Sequence, residues 1–132
     1  MTVALTEVSK STMVFGDGNK MCKQYNVTLT GTYPNGGYVI DEDAFSGSTN
    51  PFSHYLRVRP DQGGVNEDGD EAFISDIDNS DATNPSCNLR ILQQATGGGR
   101  EELAAGESYS SSGEFVLEIW GVDAKGTVGE VN

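Results

Sequence analysis

The residue types that most often do chemistry in proteins are scarce in this sequence and far apart. His54 is the single histidine, and Cys22 and Cys87 are the two cysteines. Zinc sites are usually built from short pairs such as C-x-x-C or H-x-x-H, and the sequence has neither. His54 falls on the apolar side of a predicted strand, where a histidine is more often a packed residue than a general base. The sequence therefore predicts a protein that is not an enzyme and holds no cofactor.

Carboxylates are concentrated between Asp61 and Asp81, where eight acidic residues and no basic residue occur. Residues 76–81, DIDNSD, begin like an EF-hand calcium loop, but the sixth position is Asp81 instead of glycine and the twelfth is Cys87 instead of glutamate. Asp76, Asp78 and Asp81 are weak candidates for a calcium site between loops. The favoured interpretation is a solvated face with two polar turns, and hence no metal.

The redox state of the two cysteines stays open. Residues 1–10 lack the basic region and the apolar stretch of a secretion signal, which favours synthesis in the cytoplasm and reduced thiols. A disulfide between Cys22 and Cys87 remains an alternative, because strands far apart in sequence can meet in a fold.

The charge of the chain excludes several classes of partner. The 132 residues carry a formal net charge of −12, with a sequence pI of about 4.2. Phosphate backbones and anionic membrane surfaces attract Lys and Arg, so the sequence predicts neither nucleic acid nor a membrane as partner. No run of apolar residues reaches the ~18 to 20 needed to cross a bilayer. The length suits one domain with its own core.

Alternation of apolar and polar residues predicts the elements that must position these groups. The predicted strands include residues 21–29, 54–59, 72–78, 88–94 and 115–120. A period of two is typical of half-buried strands, and Pro, Asn and Gly predict a tight reversal at residues 33–38. Helical spacing is confined to a short candidate at 101–105. About seven or eight short strands predict an all-β sandwich or barrel.

We divide the chain into three parts. Residues 1–15 are predicted to form an N-terminal arm or a first strand, residues 16–122 a β-sandwich domain, and residues 123–132 a flexible C-terminal tail. The first segment is rich in β-forming residues and has no Gly or Pro. It suits an extended arm that adds to the sheet edge of a neighbour, or a strand that closes its own sheet. The arm is the favoured interpretation.

Candidate contact residues follow from this division. Arg57 and Arg59 project from one face of a predicted strand beside Tyr55, and Arg and Tyr are enriched at protein interfaces. Pairing of these arginines with the abundant carboxylates of the chain is the alternative. The full set of interface candidates is Thr2, Val3, Leu5, Val8, Met13, Phe15, Tyr55, Arg57 and Arg59.

Three stretches of the sequence resemble small structural proteins of tailed bacteriophages. Residues 27–38, VTLTGTYPNGGY, are similar to the run V-x-V-T-G-T-Y-x-x-G-G of that group. Residues 72–78, AFISDID, followed by 88–91, NLRI, resemble its Y-x-F-x-x-D and K-L-x-V hairpin. Residues 101–107, EELAAGE, resemble the approach to its last strand, here FVLEIWG. The connection between residues 76 and 87 is longer and more acidic than in that group.

The resemblance implies a capsid decoration, or cement, protein with a jelly-roll-like antiparallel β-sandwich, often trimeric. Such a protein is made in the host cytoplasm and binds the major capsid protein on the outer surface of the phage head. There it stabilises contacts between subunits, a role that needs no catalytic residue. A negative charge suits the outside of a particle filled with DNA. A carbohydrate- or calcium-dependent adhesion β-sandwich of a phage tail or bacterial surface protein is the alternative.

Overall fold

The computed structural model describes residues 3–8, 12–15, 20–45, 50–60, 69–81, 83–95 and 97–123, with only the backbone of Phe15 and Asp123. This part of the chain is nearly all β, and two antiparallel sheets pack against each other, so the predicted all-β sandwich is confirmed. The elements in chain order are β1 (Val3–Glu7), β2 (Met13–Phe15), β3 (Lys20–Leu29), β4 (Tyr38–Val39), a 3-10 helix (Glu42–Ala44), β5 (Phe52–Pro60), β6 (Glu71–Asp78), β7 (Ser86–Gln94), β8 (Arg100–Glu102) and β9 (Ser111–Asp123).

The larger sheet has five strands and is built around β3 and β9. Its order is β1–β3–β9–β5, and β2 also pairs with β3. β1 pairs with the second half of β3 and β2 with its first three residues, so these short strands lie end to end along one edge of β3. Residues 3–7 and 13–15 are thus strands of this sheet and not the extended arm that the sequence favoured. The physical reason is burial, since Val3 and Leu5 are 4% and 2% exposed in the core of this chain and an arm extended to a neighbour would remove both from it.

The smaller sheet has β7 at its centre. β6 pairs with one edge of β7, while β4 and β8 pair with two stretches of the other edge. β8 lies where the sequence predicted a helix at 101–105, so that prediction is wrong. The backbone N–H of Leu103 donates to the carbonyl oxygen of Ile91 (3.0 Å), and the side chain of Leu103 is buried. Pairing with β7 therefore overrides the local helical spacing.

The core lies between the two sheets and is filled by alternate residues of the long strands. Phe115, Leu117 and Ile119 of β9 are at most 2% exposed, as the period of two predicts. From the other elements the core takes Met21, Tyr25, Val27 and Leu29 of β3, Tyr33, Tyr38, Ile40 and Phe45 of the following segment, and Leu89 and Ile91 of β7.

The reversal predicted at residues 33–38 is confirmed. The N–H of Gly37 donates to the carbonyl oxygen of Pro34 (3.0 Å), and Gly36 and Gly37 have φ of +87° and +93°. A Cβ on Gly37 would lie 2.7 Å from the carbonyl oxygen of Leu89. Glycine is therefore required here both for the backbone conformation and for the close approach to β7.

β5 departs from strict alternation, which corrects one interface candidate. Its register with β9 shifts between Tyr55 and Arg57, where β5 uses one residue more than β9, as in a β-bulge. Because of the extra residue, Leu56 and Arg57 are both exposed, while Tyr55 and Val58 face the core. Tyr55 is 1% exposed, so it does not stand beside the arginines at the surface.

The free edge of β5 is capped by a side chain from the loop between β6 and β7. The amide oxygen of Asn79 accepts a hydrogen bond from the N–H of Tyr55 (2.7 Å), and the amide nitrogen donates to the Tyr55 carbonyl oxygen (3.0 Å). Asn79 thus pairs with Tyr55 as a neighbouring strand would. The same nitrogen lies 3.2 Å from Nε2 of His54, which is exposed, so the prediction that His54 faces the apolar side is wrong.

Candidate functional site

The outer face of the five-stranded sheet carries a distinctive set of side chains, which we call the Trp120 face. Alternate residues of its strands point away from the core, and the strand registers fix which of them are neighbours. The members of the Trp120 face are Met13, Lys20, Cys22, Gln24, Leu56, Arg57, Arg59, Glu118 and Trp120.

Trp120 lies at the centre of one row of this face. Cys22 of β3 lies between Met13 of β2 and Trp120 of β9. On the other side of Trp120 lies Arg57 of β5. Cross-strand neighbours have Cβ atoms about 4.5–5.5 Å apart, so these side chains form a continuous line across four strands.

Glu118 occupies the centre of the next row and organises it. Its side chain is buried, and its Oε1 accepts hydrogen bonds from Nε1 of Trp120 (2.6 Å) and from Nε of Arg59 (2.8 Å). Gln24 hydrogen-bonds the same carboxylate. Burial alone would raise the pKa of Glu118, but these hydrogen bonds outweigh it and hold the pKa below its usual value. Glu118 therefore stays charged at neutral pH and fixes the positions of Arg59 and Trp120.

Apolar side chains of the Trp120 face are open to solvent. Met13 is 54% exposed and Leu56 is 47% exposed, while Trp120 is partly buried. The β-bulge accounts for Leu56, because it turns Leu56 to the same side as Arg57. The face therefore combines exposed apolar surface with the indole ring of Trp120, which is held by its hydrogen bond to Glu118.

The same face holds cations that have no carboxylate partner within the described residues. Among the described residues, neither Lys20 nor Arg57 forms an ion pair, and both are exposed. Arg59 is paired with Glu118. In a chain with a net charge of −12, the Trp120 face is thus a local positive region.

The structure brings together three of the predicted contact residues, Met13, Arg57 and Arg59, on the Trp120 face. Val3, Leu5 and Tyr55 lie in the core and are not available to a partner.

The remaining candidates are not part of the Trp120 face as the structure describes it. Val8 is partly buried, and its N–H donates to the carbonyl oxygen of Gln24 (2.9 Å). Thr2 and the side chain of Phe15 lie outside the described residues.

Six members of the Trp120 face were not among the predicted contact residues: Lys20, Cys22, Gln24, Leu56, Glu118 and Trp120. A signal existed for four of them, because the alternation over residues 21–29 and 115–120 places Cys22, Gln24, Glu118 and Trp120 on the polar sides of their strands. No signal existed for Leu56, since its exposure depends on the β-bulge.

The acidic candidates Asp76, Asp78 and Asp81 use partners close at hand. Asp76 pairs with Arg90 at 3.1 Å, while Asp78 and Asp81 each accept a backbone N–H two residues further on at 2.9 Å. These hydrogen bonds, together with those from neighbouring side chains, lower the pKa of all three carboxyl groups. Within the described ranges, no group of three or more His, Cys, Asp or Glu side chains is placed to hold a metal ion.

Both cysteines are buried, and neither is part of a disulfide in the described residues. Burial raises the pKa of Cys87 to about 12, so this core thiol stays protonated and unreactive at neutral pH. Cys22 is 1% exposed, although it lies on the outer side of its sheet, between Met13 and Trp120. The two cysteines thus lie in different sheets, each as a thiol.

The four-stranded sheet carries a different charged group, which we call the Arg90 cluster. Arg90 donates to Oγ of Ser75 (2.7 Å), to Oδ2 of Asp76 (3.1 Å) and to both carboxylate oxygens of Glu102 (3.0 and 3.1 Å). Glu102 also accepts a hydrogen bond from the hydroxyl of Tyr33 (2.6 Å). The guanidinium is therefore enclosed by acceptors from the two strands beside it.

Comparison with known proteins adds no relative: no family model, curated protein or solved structure matches the chain. In the part of the chain that the structure describes, no helix has the length and apolar character that crossing a bilayer requires. The observations that bear on function are therefore the geometry and charge of the Trp120 face, beside the sequence resemblance.

Proposed function

We propose that this chain is a non-enzymatic virion protein, a capsid decoration protein that binds the major capsid protein on the outer surface of a phage head. The observation that carries the proposal is the Trp120 face, which combines a tryptophan, two arginines and exposed apolar side chains on one side of the sheet. Trp and Arg contribute most to binding energy at protein interfaces, and Met is enriched there. The resemblance of residues 27–38 and 72–91 to small phage structural proteins supports the same function.

The distribution of charge supports a position outside the head. Packaged DNA fills the interior with phosphate, which repels a protein with a net charge of −12. Lys20 and Arg57 make the Trp120 face the natural side for contact with another protein. The acidic residues of 69–81 then face solvent.

The resemblance also supports an assembly of three copies on the head. Repetition of a contact multiplies modest affinities into strong attachment, provided that all copies engage at once. Static light scattering on the purified chain measures the number of copies.

The test is cosedimentation of the purified chain with heads that lack it, taken from the phage that encodes it. Leu56→Ser removes an apolar side chain from the Trp120 face, and Val39→Ser removes one from β4. Both residues are 47% exposed, which makes the variants a matched pair.

We expect wild type and Val39→Ser to sediment with the heads and to raise the temperature at which heated heads open. Leu56→Ser should bind at least ~5-fold more weakly, the loss expected for a contributing contact residue. Absence of wild-type protein from the head pellet, or heads that open at the same temperature with and without it, contradicts the proposed function.

The alternative of a carbohydrate-binding adhesion module gains no support from the aromatic residues. Such a module needs exposed rings in a row. Four of the five tyrosines lie in the core instead: Tyr25, Tyr33, Tyr38 and Tyr55. The fifth, Tyr109, is partly buried, and its hydroxyl donates to Asp70 (3.0 Å).

A further inference from the structure

We propose that the Trp120 face docks a carboxylate-rich, apolar protein surface, and that Glu118 holds the face ready for it. Carboxylates of the partner meet Lys20 and Arg57, and apolar side chains of the partner meet Leu56 and Trp120. The inference rests on the proposed function in one respect, since it takes the head as the natural partner. The chemistry of the partner surface follows from the Trp120 face itself.

The two unpaired cations of the Trp120 face, as far as the structure describes it, lie on the strands on either side of β9. Lys20 lies on β3 and Arg57 on β5, with Trp120 and Val122 of β9 between them. Neighbouring strands are about 4.8 Å apart, so the two cations bracket an apolar strip roughly 10 Å wide. A complementary surface therefore has carboxylates on both sides of an apolar ridge.

The charge on the rest of the chain restricts which partners can approach the Trp120 face. A net charge of −12 repels an acidic partner everywhere except where cations remain without carboxylates beside them. Among the residues that the structure describes, the Trp120 face is such a place, because Lys20 and Arg57 form no ion pair and the buried carboxylate of Glu118 is already paired with Arg59. A basic partner would be drawn instead to the acidic residues 69–81. Charge complementarity thus selects an acidic partner for this face.

Glu118 fixes the positions of the central side chains of the Trp120 face. One oxygen of Glu118 receives both the indole N–H of Trp120 (2.6 Å) and the Nε–H of Arg59 (2.8 Å), and Glu118 itself is 6% exposed. Both side chains are therefore ordered before a partner arrives, which reduces the entropy lost on binding. Glu118 is a positioning residue, and it acts on the partner through Trp120 and Arg59.

The test of partner chemistry uses two synthetic peptides of equal length, one alternating Glu and Leu and the other alternating Lys and Leu. Each is titrated into ¹⁵N-labelled full-length protein while amide, arginine Nε and indole resonances are followed. We expect the Glu peptide to shift resonances of Leu56, Arg57 and Trp120, with an affinity that falls at least ~10-fold between 50 and 500 mM NaCl. Arg57→Glu should weaken this binding at least ~10-fold.

Four results would overturn the inference. They are no shift at the Trp120 face with the Glu peptide, equal or larger shifts there with the Lys peptide, larger shifts there with a single-stranded oligonucleotide, and shifts of the same resonances on concentrating the protein alone. The last would mean that a second copy of the chain covers the face. If the Glu peptide binds the face but wild-type protein does not bind heads, the proposed function fails while the partner chemistry holds.

The role of Glu118 is tested with Glu118→Gln, and Glu114→Gln on the same strand is the control because Glu114 is exposed. We expect Glu118→Gln to move the indole resonance of Trp120 and to weaken binding of the Glu peptide ~3- to 10-fold, while the amide spectrum stays that of the folded protein. Glu114→Gln should change neither. Arg59→Lys keeps the charge but loses the Nε–H, and it should weaken binding similarly if Glu118→Gln does not fold. Unchanged peptide affinity in the folded variants contradicts the positioning role.

Discussion

The Trp120 face and the Arg90 cluster are built from the same kinds of side chain in inverse arrangements. On the Trp120 face a buried carboxylate lies at the centre and receives donors from the strands on either side. In the Arg90 cluster a guanidinium lies at the centre and donates to acceptors on the strands on either side. Each sheet therefore has one charged group that fixes its neighbours, but the sign of that group differs.

The difference determines which charges are left over. The central guanidinium of the Arg90 cluster engages two carboxylates of its own sheet. The central carboxylate of the Trp120 face engages Arg59, while Lys20 and Arg57 form no ion pair within the described ranges. In a chain with 20 acidic and 8 basic residues, this arrangement leaves Lys20 and Arg57 without an ion-pair partner among the described residues. We therefore expect the Arg90 cluster to stabilise the fold, and we propose partner binding for the Trp120 face.

The largest expected effect comes from Gly121→Ala, which disrupts the pairing of β5 with β9 on which the Trp120 face depends. In Gly121→Ala, the new Cβ would overlap the carbonyl oxygen of His54 and the ring of Phe52, both on β5. Relief requires β5 to move away from β9, which separates Arg57 from Trp120. We expect a loss of about 3 kcal/mol or more in the free energy of unfolding, measured with urea. A loss below about 1 kcal/mol would mean that β5 accommodates the methyl group without shifting.

Gly97→Ala is the control for this change, because no atom lies within 4 Å of a Cβ built at Gly97. It should alter the free energy of unfolding by no more than about 0.5 kcal/mol.

The next-largest effect is a difference in unfolding free energy between Arg90→Ala, in the Arg90 cluster, and Arg57→Ala, on the Trp120 face. Arg90→Ala leaves Glu102 partly buried with the Tyr33 hydroxyl as its remaining described side-chain partner, and should cost about 2 kcal/mol of unfolding free energy. Arg57→Ala removes an exposed cation that forms no ion pair with any described residue, and should cost less than about 0.5 kcal/mol. Chemical denaturation of both variants checks this. Equal losses would remove the distinction between a stabilising cluster and a binding face.

The smallest expected effect is the pH dependence of the stability difference between wild type and Glu118→Gln. The folded-state pKa of Glu118 lies below its usual value, so its contribution to stability is complete above pH 4.5 and is lost as the pH falls through the lowered pKa. We expect Glu118→Gln to be about 1 kcal/mol less stable than wild type at pH 7, and we expect this difference to shrink as the pH is lowered below 4.5. Urea denaturation across this range measures the difference. A constant difference at every pH would show that the charge of Glu118 is not what stabilises the fold.

Periodicity carried most of the fold prediction. The alternation over residues 21–29 and 115–120 identifies the two central strands and their core-facing sides correctly, but it does not predict that Cys22 and Glu118 on the outer side are buried too. Lys23 shares the inner side with Met21 and Tyr25, and its ammonium reaches Glu7 at 3.2 Å. A long side chain can lie along apolar surface and still place its charge at the edge, so alternation alone does not fix burial for lysine.

The site was harder to predict, because it is assembled from four strands. Arg57 and Arg59 could be named from their spacing, but Trp120 joins them only through the pairing of β5 with β9, which no local pattern encodes. The error at Tyr55 has a single physical cause, since one extra residue in β5 reverses the side on which the preceding residues lie. The helix predicted at 101–105 failed because backbone pairing with β7 outweighs a weak local preference.

The side chain of Asn79 has a consequence for how densely copies of this chain can be packed. An open strand edge acts as a template on which a second chain can add and begin an ordered aggregate. Because the Asn79 amide occupies both backbone groups of Tyr55, the edge of β5 is interrupted near its middle. At high local concentration, this interruption disfavours fusion of the sheets of neighbouring copies into a fibre at this edge.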